Sequence, residues 1–139
     1  RYSSGDLGRV DEGYPRTIAR DWGGLVRVDA ALALDGKTYV FGRRGDEQDD
    51  AFYLRFSSRD YRAPDVGYPR PTDDNFWNLP QALVERFAAP QAVFVGPDGR
   101  TYLFSGDQVI SFAHNHRWWT EPAPIREVWS NLPFDRVTA

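Results

Sequence analysis

The chain has 139 residues, of which 41% are apolar, 15% aromatic and 27% charged, which is the composition of one folded domain and excludes a disordered or low-complexity polymer. The 17 basic and 20 acidic residues give a formal net charge of −3 without long blocks of either sign, which excludes a nucleic-acid or anionic-membrane binder held by bulk charge. Cysteine is absent, so disulfides, zinc knuckles, iron–sulfur clusters and thiol chemistry are excluded as well. No apolar run approaches the roughly 18 residues of a membrane helix, and no signal peptide is present. Methionine is missing even at position 1, so the chain reads as an excised or processed segment whose targeting signal would lie outside it.

In chain order, residues 1–25 match only the last part of a repeating unit, since Arg1-Tyr2-Ser3-Ser4 resembles Arg55-Phe56-Ser57-Ser58. A first complete unit occupies residues 26–84, with strands expected near 27–34, 37–42 and 51–57. A second occupies 85–133, with strands near 91–95, 101–105 and 107–113. Residues 134–139 resemble the start of another first strand. The two complete units share an apolar run, an Asp-Gly turn (Asp35-Gly36 and Asp98-Gly99) and a Thr-Tyr-aliphatic-Phe run (Thr38 to Phe41 and Thr101 to Phe104). Asp-Gly between strand-like runs is a strong hairpin signal, because both central residues tolerate positive φ.

A tryptophan followed by a small loop and Leu or Leu-Pro recurs at Trp22, Trp77 and Trp129, spaced 55 and 52 residues apart. Gly-Tyr-Pro-Arg precedes the first two, at Gly13 to Arg16 and Gly67 to Arg70. Periods of this size belong to propeller blades and related arrays. The segments before the tryptophans, about 72–77 and 124–129, fit either a short helix or an outer strand. Pro80 to Phe87 has helical apolar spacing and predicts a short helix between units.

The ordered landmarks Val28-Asp29-Ala30-Ala31, Lys37-Thr38-Tyr39-Val40-Phe41, Gly67-Tyr68-Pro69-Arg70 and Trp77-Asn78-Leu79-Pro80 resemble the hemopexin-like repeat family. The second unit keeps Thr101 to Asp107 and the Trp129-to-Pro133 ending. The resemblance implies an all-β fold: two complete four-stranded blades of a four-bladed β-propeller, with partial blades at both ends. The wording of the second unit is similar to bacterial versions found in insecticidal toxin-complex A-like proteins, and the resemblance favours a secreted or extracellular setting. It also implies a central tunnel in which main-chain carbonyls of Asp29, Gln91 and Thr138 face a cation, Ca²⁺ or Na⁺, while Ala31 and Val93 face an anion, chloride. No cofactor is required by this reading. The replacement of Asp29 by Gln91 and Thr138 at the corresponding positions removes negative charge from such a site.

Several further residues are candidates in their own right. His114 and His116 are the only histidines, and on a strand they would share a face that could ligate a metal or haem iron; their setting in Ala113-His114-Asn115-His116-Arg117 reads as an exposed turn. Asp46, Glu47, Asp49 and Asp50 lack the central Gly and twelfth-position Glu of a calcium loop and read as a solvated insertion. The tryptophans that recur once per unit read as structural pins. Trp118-Trp119 does not recur; in an extended segment one of the pair must point outward, which makes it the candidate contact for a partner.

No nucleophile–base–orienter set and no nucleotide-binding motif is present, so the expectation is a non-enzymatic module that recognises a protein or glycan surface as part of a larger, secreted or toxin-like protein. The alternative is a small-ligand carrier for haem, a metal ion or a polyamine. Blade edges left open by two units imply docking on the rest of a parent chain or self-association. Neither nucleic acid nor a membrane span is expected.

Overall fold

The computed structural model describes residues 10–45, 51–72, 76–115 and 117–138. The insertion Asp46 to Asp50 and His116 lie outside the described residues. Two antiparallel sheets carry the fold. The first orders β1 (Arg27–Leu34), β2 (Lys37–Arg43), β3 (Ala51–Phe56) and β4 (Arg70–Pro71) in sequence. The second orders β5 (Ala92–Val95), β6 (Thr101–Ser105), β7 (Gln108–Ala113) and β8 (Trp118–Trp119), with β9 (Ala123–Pro124) also paired to β7. Three short helices complete the chain: α1 (Ile18–Asp21), α2 (Gln81–Phe87) and α3 (Ile125–Val128).

The two Asp-Gly hairpins differ. Asp35 (φ 50°) and Gly36 (φ 72°) both take left-handed backbone, and Leu34 faces Lys37 directly, which is the two-residue hairpin expected. In the second hairpin only Gly99 (φ 75°) does so, and Val95 faces Thr101 across a longer loop. Pro97 fixes a negative φ one residue earlier, so the chain turns through a Gly99 N–H to Gly96 O bond of 2.9 Å instead.

Because the first sheet is covered on both faces, β2 is apolar on both, as fully buried strands are. Tyr39 and Phe41 face the second sheet together with Leu32, Tyr53 and Phe76, against Val93, Leu103, Ile110, Phe112 and Trp119. Val40, Leu54 and Phe56 face the other way, under Leu25 and Trp22. The far face of the second sheet repeats the first sheet's inner face, with Phe104, Tyr102, Val109, Ile125 and Trp129.

Of the segments expected before the recurrent tryptophans, 124–129 is the end of a strand followed by α3, while in 72–77 residues 73–75 lie outside the described residues. A two-residue outer strand stands ahead of each, Arg70–Pro71 and Ala123–Pro124, and a tight turn at Phe76–Asn78 precedes the first loop's closure. Thr72 N–H bonds Ala51 O and Ile125 N–H bonds Asp107 O, which fixes the correspondence of the two units.

That correspondence corrects the tryptophan register. The backbone bond that closes the small loop joins Leu25 N–H to Trp22 O, Leu79 N–H to Phe76 O and Leu132 N–H to Trp129 O. The recurrent slot therefore holds Trp22, Phe76 and Trp129, and Trp77 is one residue past it. Trp77 (φ 45°) and Asn78 (φ 58°) take the left-handed backbone that Gly23 (φ 64°) and Gly24 (φ 84°) take in the first copy. A side chain at Gly23 would meet Pro69 Cδ at 2.5 Å; the ring of Trp77 instead reaches the next sheet, 5.4 Å from Phe112 and 5.0 Å from His114.

Candidate functional site

β8 settles how the tryptophan pair divides. Phe112 and Ala113 of β7 pair with Trp119 and Trp118, so the two rings point to opposite faces. Trp119 is buried, and its indole N–H donates to Trp77 O at 3.0 Å. It is part of the core and is not available to a partner. Trp118 is 47% exposed. The Arg100 guanidinium lies over its ring at 5.1 Å and is held there by an Nε–H bond to Ser111 Oγ of 2.9 Å. The result is a rigid aromatic surface capped by a cation, fixed by strand pairing below it.

His114 stands near this surface but turns inward. Its Nε2 is 2.9 Å from Thr101 Oγ1, and its ring sits edge-on to Trp77 and Phe112. The described residues contain no group of three or more His, Cys, Asp or Glu that could hold a metal ion.

A second candidate lies at the other end of the strands. A polar recess of about 370 Å³ is lined by Arg27, Asp29, Arg43, Glu85, Arg86, Ala89, Gln91 and Ser105. Asp29 is the extra residue of a β-bulge between Val28 and Ala30, a device that re-aims side chains. Its carboxylate is almost wholly buried and accepts from Arg27 Nε at 2.5 Å and Arg43 Nε at 3.2 Å. Arg27 and Arg43 are direct cross-strand partners, a placement that would repel without an acid between them. Gln91 bonds differently, its Oε1 accepting from Gly106 N–H at 2.7 Å.

The positions expected around a tunnel are thus partly gathered. Asp29 and Gln91 share the recess. Thr138 is exposed, but Val137 N–H bonds Gly106 O at 2.8 Å, the same turn residue that Gln91 holds. Ala31 lines an apolar outer groove with Trp22, Val28 and Val40, and Val93 packs between the sheets. The Arg27–Asp29–Arg43 cluster was missed by sequence reasoning. Counted outward from Asp35-Gly36, the hairpin register sets Arg43 opposite Val28, and only the bulge at Asp29 brings Arg27 into that place.

Asp65 and Asp98 are both held below the usual carboxylate range. Asp65 is lowered first by the Arg55 Nε–H bond of 2.5 Å, then by bonds from Ser57. Asp98 is lowered first by the Tyr102 hydroxyl, which donates to it at 2.6 Å, while burial and then Asp98 raise Tyr102. Both fasten loops.

The two antiparallel sheets and their repeated packing define an all-β, hemopexin-type fold, and comparison with solved structures agrees. The chain is similar to a hemopexin fold protein, CP4 from cow pea, with a TM-score of 0.58 and 21% identity over 86% of this chain. The similar region is 56% of the CP4 chain, so this sequence spans little more than half of that structure's length. No family model matches the sequence, and no curated protein does.

Proposed function

We propose that this chain is a non-catalytic recognition module, two hemopexin-like blades with partial blades at either end, that binds a protein or glycan surface within a larger secreted or toxin-like protein. The observation that carries it is Trp118, a large aromatic exposed on a strand, with Arg100 stacked on it and Trp119 anchoring the strand beneath. Exposed Trp beside Arg is the composition of an interface hot spot. The ordering cost of using it is low, because the strand is fixed before a partner arrives.

The test is a glycan array and a panel of immobilised cell-surface proteins, probed with wild type and Trp118→Ala. The expected result is a defined ligand whose binding falls at least about tenfold in the variant, a loss typical of a hot spot, with unchanged melting. Binding that is equal in the two proteins overturns the role of Trp118.

A second reading, carriage of a small ligand, is favoured by the recess that gathers Asp29 and Gln91. Haem, a metal ion and a polyamine are the ligands expected of a carrier of this fold. His114 offers haem iron little, since its Nε2 already faces Thr101.

A further inference from the structure

We infer that the recess between the two sheets binds a small oxyanion, such as phosphate, sulfate or a carboxylate group, through Arg27, Arg43, Arg86 and Gln91. This rests on the small-ligand reading and replaces its ligands with an anion held by side chains. Three arginines and two acids line the recess, so it carries a local positive excess in a chain of net charge −3.

The hydrogen-bond inventory points the same way. Asp29 commits Oδ1 to Arg27 and Oδ2 to Arg43, so neither of its oxygens is left for a cation. Each arginine gives only its Nε to Asp29, and among the described residues the Nη groups of both have no partner. A guanidinium offers a planar fork of donors that fits an oxyanion edge. Gln91 has spent its oxygen on Gly106, which leaves its amide N–H₂ as a donor, and Ser105 lines the same space. Glu85 adds one carboxylate to the lining against three guanidinium groups, so donors outnumber acceptors. A hard cation needs six or more oxygens, and a polyamine needs several acceptors; the side chains here supply fewer. At about 370 Å³ the recess falls at the small end of ligand clefts.

The experiment is calorimetric titration of the full chain with sodium phosphate, sodium sulfate, calcium chloride and spermine, each against sodium chloride at matched ionic strength. Phosphate or sulfate is expected to bind, with Arg86→Gln weakening it several-fold at unchanged melting. Arg27→Gln with Arg43→Gln is expected to weaken it at least about tenfold, as loss of charge-assisted contacts does. Should that double variant fail to fold with Asp29 left unpaired, Arg86→Gln still decides, because α2 carries it on the surface. Phosphate and sulfate binding that is unchanged in Arg86→Gln overturns the inference. Binding of calcium or spermine without any anion overturns it while leaving the small-ligand reading standing. No binding of any of the four, with no change in Soret absorbance on adding haem, overturns both.

Discussion

Phe76 and Trp129 occupy the same slot of successive units, and deleting each ring measures what the second sheet adds to the first. Phe76 is fully buried. Its ring lies 5.2 Å from Phe41, 4.8 Å from Tyr53, 4.6 Å from Trp77 and 6.3 Å from Trp119, so it is enclosed by both sheets. Trp129 sits 5.1 Å from Tyr102 and 5.7 Å from Phe104 on its own sheet, with its other side half open. Phe76→Ala leaves a closed cavity and is expected to cost about 4 kcal/mol, within the range for buried aromatics. Trp129 is partly buried, so Trp129→Ala loses about two thirds of a tryptophan's roughly 200 Å² of buried surface and leaves no closed cavity. At about 25 cal/mol per Å² that is about 3.3 kcal/mol. Urea unfolding followed by far-UV circular dichroism reads both without relying on tryptophan emission. Equal costs, or a larger cost for Trp129→Ala despite its bigger ring, would refute the assignment of Phe76 to the recurrent slot.

Two other expectations follow from particular side chains. Thr72 occupies the place that Ile125 holds in the second unit, and its buried hydroxyl has no partner among the described residues, so Thr72→Val is expected to raise stability by about 1 kcal/mol in the same urea assay; a loss of that size would show the hydroxyl to be bonded. The Asp65 carboxyl is depressed by Arg55, so its contribution is present above the ordinary aspartate range near about 3.9 and disappears as pH falls through the folded value. Melting of wild type and Asp65→Asn should therefore differ at neutral pH and converge in strong acid, and a gap that persists there would assign the effect to packing.

The strands were legible because their signals are local. Thr38 to Phe41 and Thr101 to Phe104 carry the alternation, and Asp35-Gly36 and Asp98-Gly99 mark the turns; only Pro97 changed how the second turn is made. The opposite orientation of Trp118 and Trp119 was equally legible, since it needs nothing beyond the period of a strand. The slot register was not. Residue identity pointed to Trp77, whereas the slot is defined by a backbone bond to a leucine three residues on. The recess was hidden for a different reason. Its residues come from β1, β2, α2, the residue before β5 and the end of β6, and Asp29 enters it only because a bulge turns its side chain between two arginines.

Phe76 and Trp77 also show how one sheet is joined to the next. They stack on each other at 4.6 Å, Phe76 against Phe41 of its own sheet and Trp77 against Phe112 of the following one. Each outer face carries half of that arrangement. Trp129 lies on Phe104, as Phe76 lies on Phe41. Trp22 lies 5.2 Å from Phe56, the counterpart of Phe112, as Trp77 lies on Phe112 itself. The exposed apolar residues Val28 and Tyr61 flank the first half, and Phe94, Leu132 and Phe134 flank the second. If copies of this chain associate, as proposed for its open edges, the pairing that repeats the internal interface sets Trp129 of one copy against Trp22 of another. Phe94→Ser and Val28→Ser should then each abolish a dimer seen by sedimentation. A dimer that survives both serine variants would place the contact elsewhere and leave these two faces for other sheets of the same repeat.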